Sequence, residues 1–159
     1  MKNYILFFSL LMQFYACARL DLVHATADTI MADVQQNKGT NAVLLNIWAT
    51  SCAPCVAEFP AIVELGDSNS KLYVLFVSSD FLEHEKKVVQ FLRQHGVKGK
   101  SFIKSQKDQA FINGLHPDWS GALPFTILFA KNSGDVVDYW EGEQPEIRFK
   151  TAIERAINL

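Results

Sequence analysis

The stretch AVLLNIWATSCAPC, residues 42–55, carries an almost unbroken apolar run into two cysteines three positions apart, Cys52 and Cys55. The run Ala42–Trp48 suits a parallel strand covered on both faces, because a half-exposed strand would alternate polar and apolar residues. Beyond the cysteines the period changes. Cys55, Phe59, Ile62 and Val63 fall at i, i+4, i+7 and i+8. A helix here turns one apolar stripe toward a core and holds Cys52 at its N-terminus.

That placement makes the two thiols unequal. Unpaired N–H groups of the first helical turn and the positive end of the helix dipole favour a thiolate at Cys52. Pairs of this kind lower a thiol pKa from about 8.5 to roughly 3.5–7.5. Cys55 lies on the buried stripe, shielded from outside disulfides yet close to Cys52, which suits it to resolve a mixed disulfide from within. The implied chemistry is thiol-disulfide exchange, with Cys52 as nucleophile and Cys55 as resolving thiol. A bare C-x-x-C is equally half a zinc site or chance, and it is the strand before it and the helix after it that favour the redox reading.

The segment Trp48–Pro60, WATSCAPCVAEFP, resembles the active-site segment of the thioredoxin superfamily, specifically its TlpA/ResA-like extracytoplasmic thiol-disulfide oxidoreductases. Downstream, Trp119–Thr126, WSGALPFT, is similar to the segment that carries the superfamily's cis-proline. The resemblance covers most of residues 40–159. It implies an α/β, thioredoxin-like fold, a central mixed β-sheet flanked by helices on both faces. It also implies a cis bond before Pro124, with Leu123 presenting its backbone to substrate, and it groups Trp48 and Trp119 with them as candidate substrate-binding residues. For Trp119, burial as an ordinary core aromatic is the equal alternative. Glu58, in the spacing C-x-x-E-F-P, corresponds to a carboxylate near the dithiol that could accept and return the proton of Cys55, a solvated helical glutamate being the alternative. No cofactor is implied beyond the Cys52–Cys55 couple. Two departures bear on reactivity: Ser51 stands where many relatives have tryptophan, and Ala53-Pro54 differs from the commonest dipeptide between the cysteines.

Composition sets the outer limits. The 159 residues, 49% hydrophobic, suffice for one domain with a full core. The net charge is −2, and removal of residues 1–18 takes away only Lys2, leaving 14 basic against 17 acidic residues. This balance gives no sign of a nucleic-acid partner. Three cysteines, one of them Cys17 near the N-terminus, are too few for a disulfide-stapled scaffold.

Residues 1–18 combine Lys2, an apolar run from Tyr4 to Ala16 and small residues at Ala16 and Ala18, a secretory signal pattern followed by a domain over 19–159. Ala16-Cys17 also resembles the end of a bacterial lipoprotein signal, which makes Cys17 a candidate for lipidation and the N-terminus a candidate membrane anchor. Either version places the domain outside the cytoplasm, in the periplasm of a bacterium.

Along the domain, the pattern predicts a helix around Ile30, Met31 and Val34, capped by Thr26 or Asp28 and stopped at Gly39. A turn is expected at Gly66–Ser70, a strand at Leu72–Val77 and an amphipathic helix at Glu83–His95, with a solvated start at Glu83–Lys87 and a satisfied His95. Ser101–Ile103 reads as a short strand, Asp108–Leu115 as a helix, and Phe125–Ala130 with Val136–Trp140 as a hairpin. A last helix follows Pro145. The order is βαβ, a connecting helix, then ββα.

The leading functional expectation is a reductant that draws electrons from a membrane thiol-disulfide donor and passes them to protein disulfides, apocytochrome c maturation being one destination the resemblance implies. A disulfide oxidase or isomerase is the competing enzyme. A copper-binding module is the non-enzymatic alternative, with His116 as the histidine to test.

Overall fold

The computed structural model describes residues 19–159. The expected leader and Cys17 lie outside them. In chain order the elements are β1 (Asp21–Ala25), α1 (Ala27–Gln36), β2 (Ala42–Trp48), α2 (Ala53–Ser68) and β3 (Leu72–Ser78). A single 3-10 turn, Leu82–His84, leads into α3 (Glu85–Gln94), followed by β4 (Lys100–Lys104), α4 (Asp108–Leu115), β5 (Phe125–Phe129), β6 (Val136–Glu141) and α5 (Glu146–Asn158). One six-stranded sheet runs β1-β4-β3-β2-β5-β6. The first four strands in that order are parallel, and β5 is antiparallel to both β2 and β6. The sheet is therefore mixed, as expected.

Every residue of β2 is buried, because successive side chains enter two different cores. Ala42, Leu44 and Trp48 pack with Cys55, Phe59 and Ile62 of α2, Val88 and Leu92 of α3 and Phe149 of α5. Val43, Leu45 and Ile47 pack on the other face with Ile30 and Val34 of α1 and Phe111 of α4. An apolar run without alternation is thus the signature of a central strand between two helical layers.

Two readings change. The segment before α1 is a strand: β1 pairs with β4, from Asp21 opposite Lys100 to Ala25 opposite Lys104. Its five residues have an exposed and half-buried pattern, the weak periodicity of an edge strand, which gave sequence reading little to hold. Second, Gly66 does not open a turn, since α2 continues through Ser68. A Cβ at Gly66 would lie 2.8 Å from Val74 Cγ2, so the missing side chain lets α2 close on β3. Pro60 sits inside α2, on the exposed side of the helix, where the carbonyl freed by its missing N–H can be hydrated.

The remaining elements fall where the patterns put them. Thr26 caps α1, its hydroxyl accepting the Thr29 N–H. His95 is half-buried, with Nδ1 2.9 Å from the Phe91 carbonyl oxygen and its ring stacked on Phe91.

Candidate active site

Cys52 is the N-cap residue of α2, and its sulfur accepts the Cys55 N–H at 3.3 Å. The two cysteines are joined by a disulfide, with Cα atoms 5.3 Å apart. Cys55 is 1% exposed, whereas Cys52 is half-buried. The sulfur at the helix N-terminus is the one an incoming molecule can reach. Ser51, Ala53 and Pro54 around it are exposed.

The β2–β5 register brings a second segment to this loop. Ile47 pairs with Phe125 in the antiparallel ladder. The same register carried past the strand ends sets Pro124 across from Trp48 and Leu123 across from Ala49. The Leu123–Pro124 bond is cis, and the Pro124 carbonyl accepts the Gly142 N–H at 2.8 Å.

Under the dithiol lies a buried polar group. Glu58 follows Cys55 by one helical turn and is 5% exposed, which excludes a solvated glutamate. Asn46 Nδ2 donates to Glu58 Oε1 and to Thr126 Oγ1, both at 3.1 Å, and the Gln144 N–H points to Glu58 Oε2 at 3.4 Å. Burial pushes the Glu58 carboxyl from 4.5 up to about 7, against the lowering effect of the hydrogen bonds from Asn46 and Gln144; the charge of Glu143 adds to the rise. A carboxyl of that pKa exchanges its proton near neutral pH, one turn from a buried thiol.

A second polar cluster fixes the approach to Cys52. Thr50 donates to Asp80 twice, from its N–H to Oδ2 (2.9 Å) and from its hydroxyl to Oδ1 (2.7 Å). The Ser78 hydroxyl donates to Asp80 Oδ2 at 2.7 Å, and Asp80 N–H donates back to Ser78 Oγ at 3.1 Å. One buried carboxylate thereby ties the loop after β2 to the loop after β3. Asp80→Ala would leave three donors without their acceptor, at a cost of about 2–4 kcal/mol. Urea denaturation should register that loss, with Asp80→Asn intermediate; an unchanged midpoint for Asp80→Ala would show that the clamp adds nothing.

No protein-family model matches the sequence. The chain is 36% identical over 103 residues to the thiol-disulfide oxidoreductase ResA of Bacillus anthracis, an alignment covering 64% of this chain and 56% of that protein. It is 28% identical over 118 residues to a thiol:disulfide interchange protein DsbE homolog of Paracoccus denitrificans, covering 72% and 60% of the two chains. The chain thus spans a little over half the length of these relatives. Among solved structures, a thioredoxin family thiol:disulfide interchange protein from Chlorobium tepidum superposes with a TM-score of 0.62 at 17% identity, over 79% of this chain and 83% of that one. The chain has a thioredoxin-like fold. Its ResA- and DsbE-named relatives agree with the resemblance first carried by WATSCAPCVAEFP.

Within this thioredoxin-type site the two tryptophans take places other than those expected. Trp48 is fully buried, wedged against Phe59 and Phe91 with ring centroids at 4.9 and 4.6 Å. It underlies the site and offers no surface to a substrate, which corrects its placement among substrate-binding residues. Trp119 is 5% exposed, stacks on Phe125 at 5.0 Å and donates its indole N–H to the Ala122 carbonyl at 2.8 Å. It is a core aromatic whose remaining edge lines a cavity beside Leu123.

His116 is buried against Tyr139, with ring centroids 4.0 Å apart, and its Nδ1 accepts the Asp118 N–H at 3.2 Å. Among the described residues no group of three or more His, Cys, Asp or Glu side chains could hold a metal ion.

Sequence reading missed Asn46, Thr126, Thr50 and Asp80. Asn46 carried a usable signal: one amide in a strand covered on both faces must find buried partners. Asp80 carried none, since its partners lie thirty residues upstream and in its own turn.

Proposed function

We propose that this protein is an extracytoplasmic thiol-disulfide oxidoreductase that reduces disulfides in other proteins. The observation that carries the reading is the Cys52–Cys55 disulfide at the N-terminus of α2, with Cys52 reachable and Cys55 buried. In the reduced protein the Cys52 thiolate attacks one sulfur of a substrate disulfide. A mixed disulfide forms, and the other substrate sulfur leaves as a thiolate that takes up a proton. Glu58, ionised, accepts the proton of the Cys55 thiol. The Cys55 thiolate then attacks Cys52 Sγ, forms the intramolecular disulfide and expels the second substrate thiolate. Two electrons pass to the substrate, and a membrane thiol-disulfide donor restores the dithiol.

Supporting this reading are the ResA- and DsbE-named relatives, the buried carboxylate beside Cys55, and the cis Leu123–Pro124 segment across from the approach to Cys52. Leu123 is the residue we assign to pair with the substrate backbone. The extracytoplasmic location rests on the leader pattern of residues 1–18, with anchoring through Cys17 as one form of it. Apocytochrome c is a substrate to include in assays on the strength of the same resemblance.

The test is an equilibrium redox titration of the purified protein in thiol-disulfide buffers, counting alkylated cysteines by mass. A midpoint at or below the thioredoxin value of about −270 mV is expected for a reductant fed by its own donor. A midpoint above about −180 mV would assign it to oxidase or isomerase work instead. If the two cysteines failed to interconvert between dithiol and disulfide, the enzymatic reading would be wrong.

A further inference from the structure

On the face of the sheet carrying α1 and α4 lies a cavity of about 220 Å³, one of whose lining residues is Leu123, next to the cis proline. Its back wall is Phe111, Ile112 and Trp119, its two rims are Phe81 and Leu123, and Lys104 closes one side. Both rims are tied to the loop that leads into Cys52. Leu123 precedes Pro124 across from that loop, and Phe81 follows Asp80, whose carboxylate holds Thr50. The cavity is thereby linked through both residues to the loop that carries Cys52.

The walls are rigid. Trp119 is pinned by its stack on Phe125 and its bond to the Ala122 carbonyl. Gly121 has a φ of +95°, and a Cβ there would come within 2.9 Å of Ile112 Cδ1, so glycine lets the 120–123 segment close against α4.

Two features of the rim lack a structural purpose. Phe81 is 62% exposed and the adjacent Leu82 is 40% exposed, apolar surface that folding leaves in water next to a reactive centre. Lys104 has a side chain only 10% exposed, yet its ammonium pairs with Asp108, whose side chain is 68% exposed. The lysine is held in place, its ammonium 5.8 Å from the Phe81 ring centroid, whereas its partner can swing into solvent. An ion pair with one such exposed member is worth about 0–1 kcal/mol, so an incoming carboxylate can displace Asp108 at small cost.

We propose that this cavity is the specificity subsite for the substrate polypeptide, taking an apolar side chain next to the substrate cysteine, with an acidic side chain replacing Asp108 on Lys104. The inference rests on the exchange reading above and adds to it the class of sequence exchanged: a disulfide flanked by an apolar and an acidic residue. Phe81 covers the apolar side chain, Lys104 neutralises the acidic one, and Leu123 joins the cavity to the segment across from Ala49.

Four peptides test it, each with one cysteine in mixed disulfide with a small thiol and followed by Phe-Glu, Phe-Gln, Ser-Glu or Ser-Gln. The readout is kcat/KM of the reduced protein, with hydroxyethyl disulfide as a substrate too small to fill the cavity. The Phe-Glu peptide is expected to react about tenfold faster than Ser-Gln, equivalent to about 1.4 kcal/mol. Phe81→Ser should remove the preference for phenylalanine, and Lys104→Met the preference for glutamate. Asp108→Asn should raise the rate with both glutamate peptides by freeing the lysine. All three variants should reduce hydroxyethyl disulfide at the wild-type rate, which reports intact folding and chemistry. Equal rates for the four peptides, or a ranking that Phe81→Ser and Lys104→Met leave unaltered, would overturn the subsite while leaving the exchange reading intact. Failure of the wild type to reduce hydroxyethyl disulfide would overturn both.

Discussion

Cys52→Ser is expected to bring exchange down to the uncatalysed background, whereas Cys55→Ser should keep the first step and lose the second. The difference follows from burial. Cys52 is the sulfur that a substrate disulfide can approach, and as N-cap of α2 it receives the Cys55 N–H, a donor that becomes worth more as the sulfur acquires charge. A serine hydroxyl keeps the cap but is no nucleophile at neutral pH, so folding survives and turnover does not. Cys55 is 1% exposed and can attack only what is bonded to Cys52. Without it, the mixed disulfide has no internal exit and should accumulate in stoichiometric amount. Mass spectrometry after incubation with a peptide disulfide separates the cases: an adduct on Cys55→Ser and none on Cys52→Ser. An active Cys52→Ser variant, or an adduct that forms at Cys55, would reverse the assignment of the two thiols.

The parts of this arrangement that were legible beforehand share one property, that a local pattern determines them. The run from Ala42 to Trp48 reads as a central strand because both faces must be covered, and the stripe Cys55, Phe59, Ile62 reads as a buried helix face because 3.6-residue periodicity leaves no other choice. The dithiol sits between them, so its asymmetry was legible too. What escaped depends on partners far away in the chain. β1 is an edge strand of five residues, defined by its pairing with β4 about eighty positions later rather than by its own periodicity. Glu58 could be placed one turn from Cys55, but nothing in the helix says whether its carboxyl meets water or the Asn46 amide. Trp48 was misplaced for a related reason: the resemblance grouped it with the substrate-binding residues, while strand alternation sends its side chain into the layer beneath α2 and α3. The Asp80 clamp joins two loops at the ends of adjacent strands, a juxtaposition that exists only once the sheet is built.

Glu58→Gln is expected to make the protein more stable above pH 7 and slower at its second chemical step, opposite effects from one substitution. The Glu58 carboxyl is raised from 4.5 to about 7, chiefly by burial. Between those two values the folded protein holds a proton that the unfolded chain has released. The unfolded state therefore binds fewer protons there, and stability falls as pH rises through the window. At about 1.36 kcal/mol per pKa unit, the shift amounts to a penalty of about 3 kcal/mol once Glu58 is ionised in the fold. Glutamine keeps an oxygen for Asn46 Nδ2 but turns an amide NH2 toward the Gln144 N–H, which costs about 1 kcal/mol. The net expectation is a gain of about 2 kcal/mol at pH 8, absent near pH 4 and growing as pH rises from about 4.5 to 7, where the wild type loses stability. Denaturant midpoints of both proteins across pH 4–8 check it. Resolution of the mixed disulfide should move the other way. Wild-type rate should rise through an inflection near pH 7 as Glu58 becomes able to accept the Cys55 proton. The variant should lose that inflection and run about a hundredfold slower above it, within the range for removal of a positioned general base. A variant that gains stability but keeps the wild-type rate profile would make Glu58 a buried charge with no part in exchange. One that slows resolution at all pH values without gaining stability would mean that Glu58 is ionised in the fold at much lower pH and acts on the thiols through its charge alone.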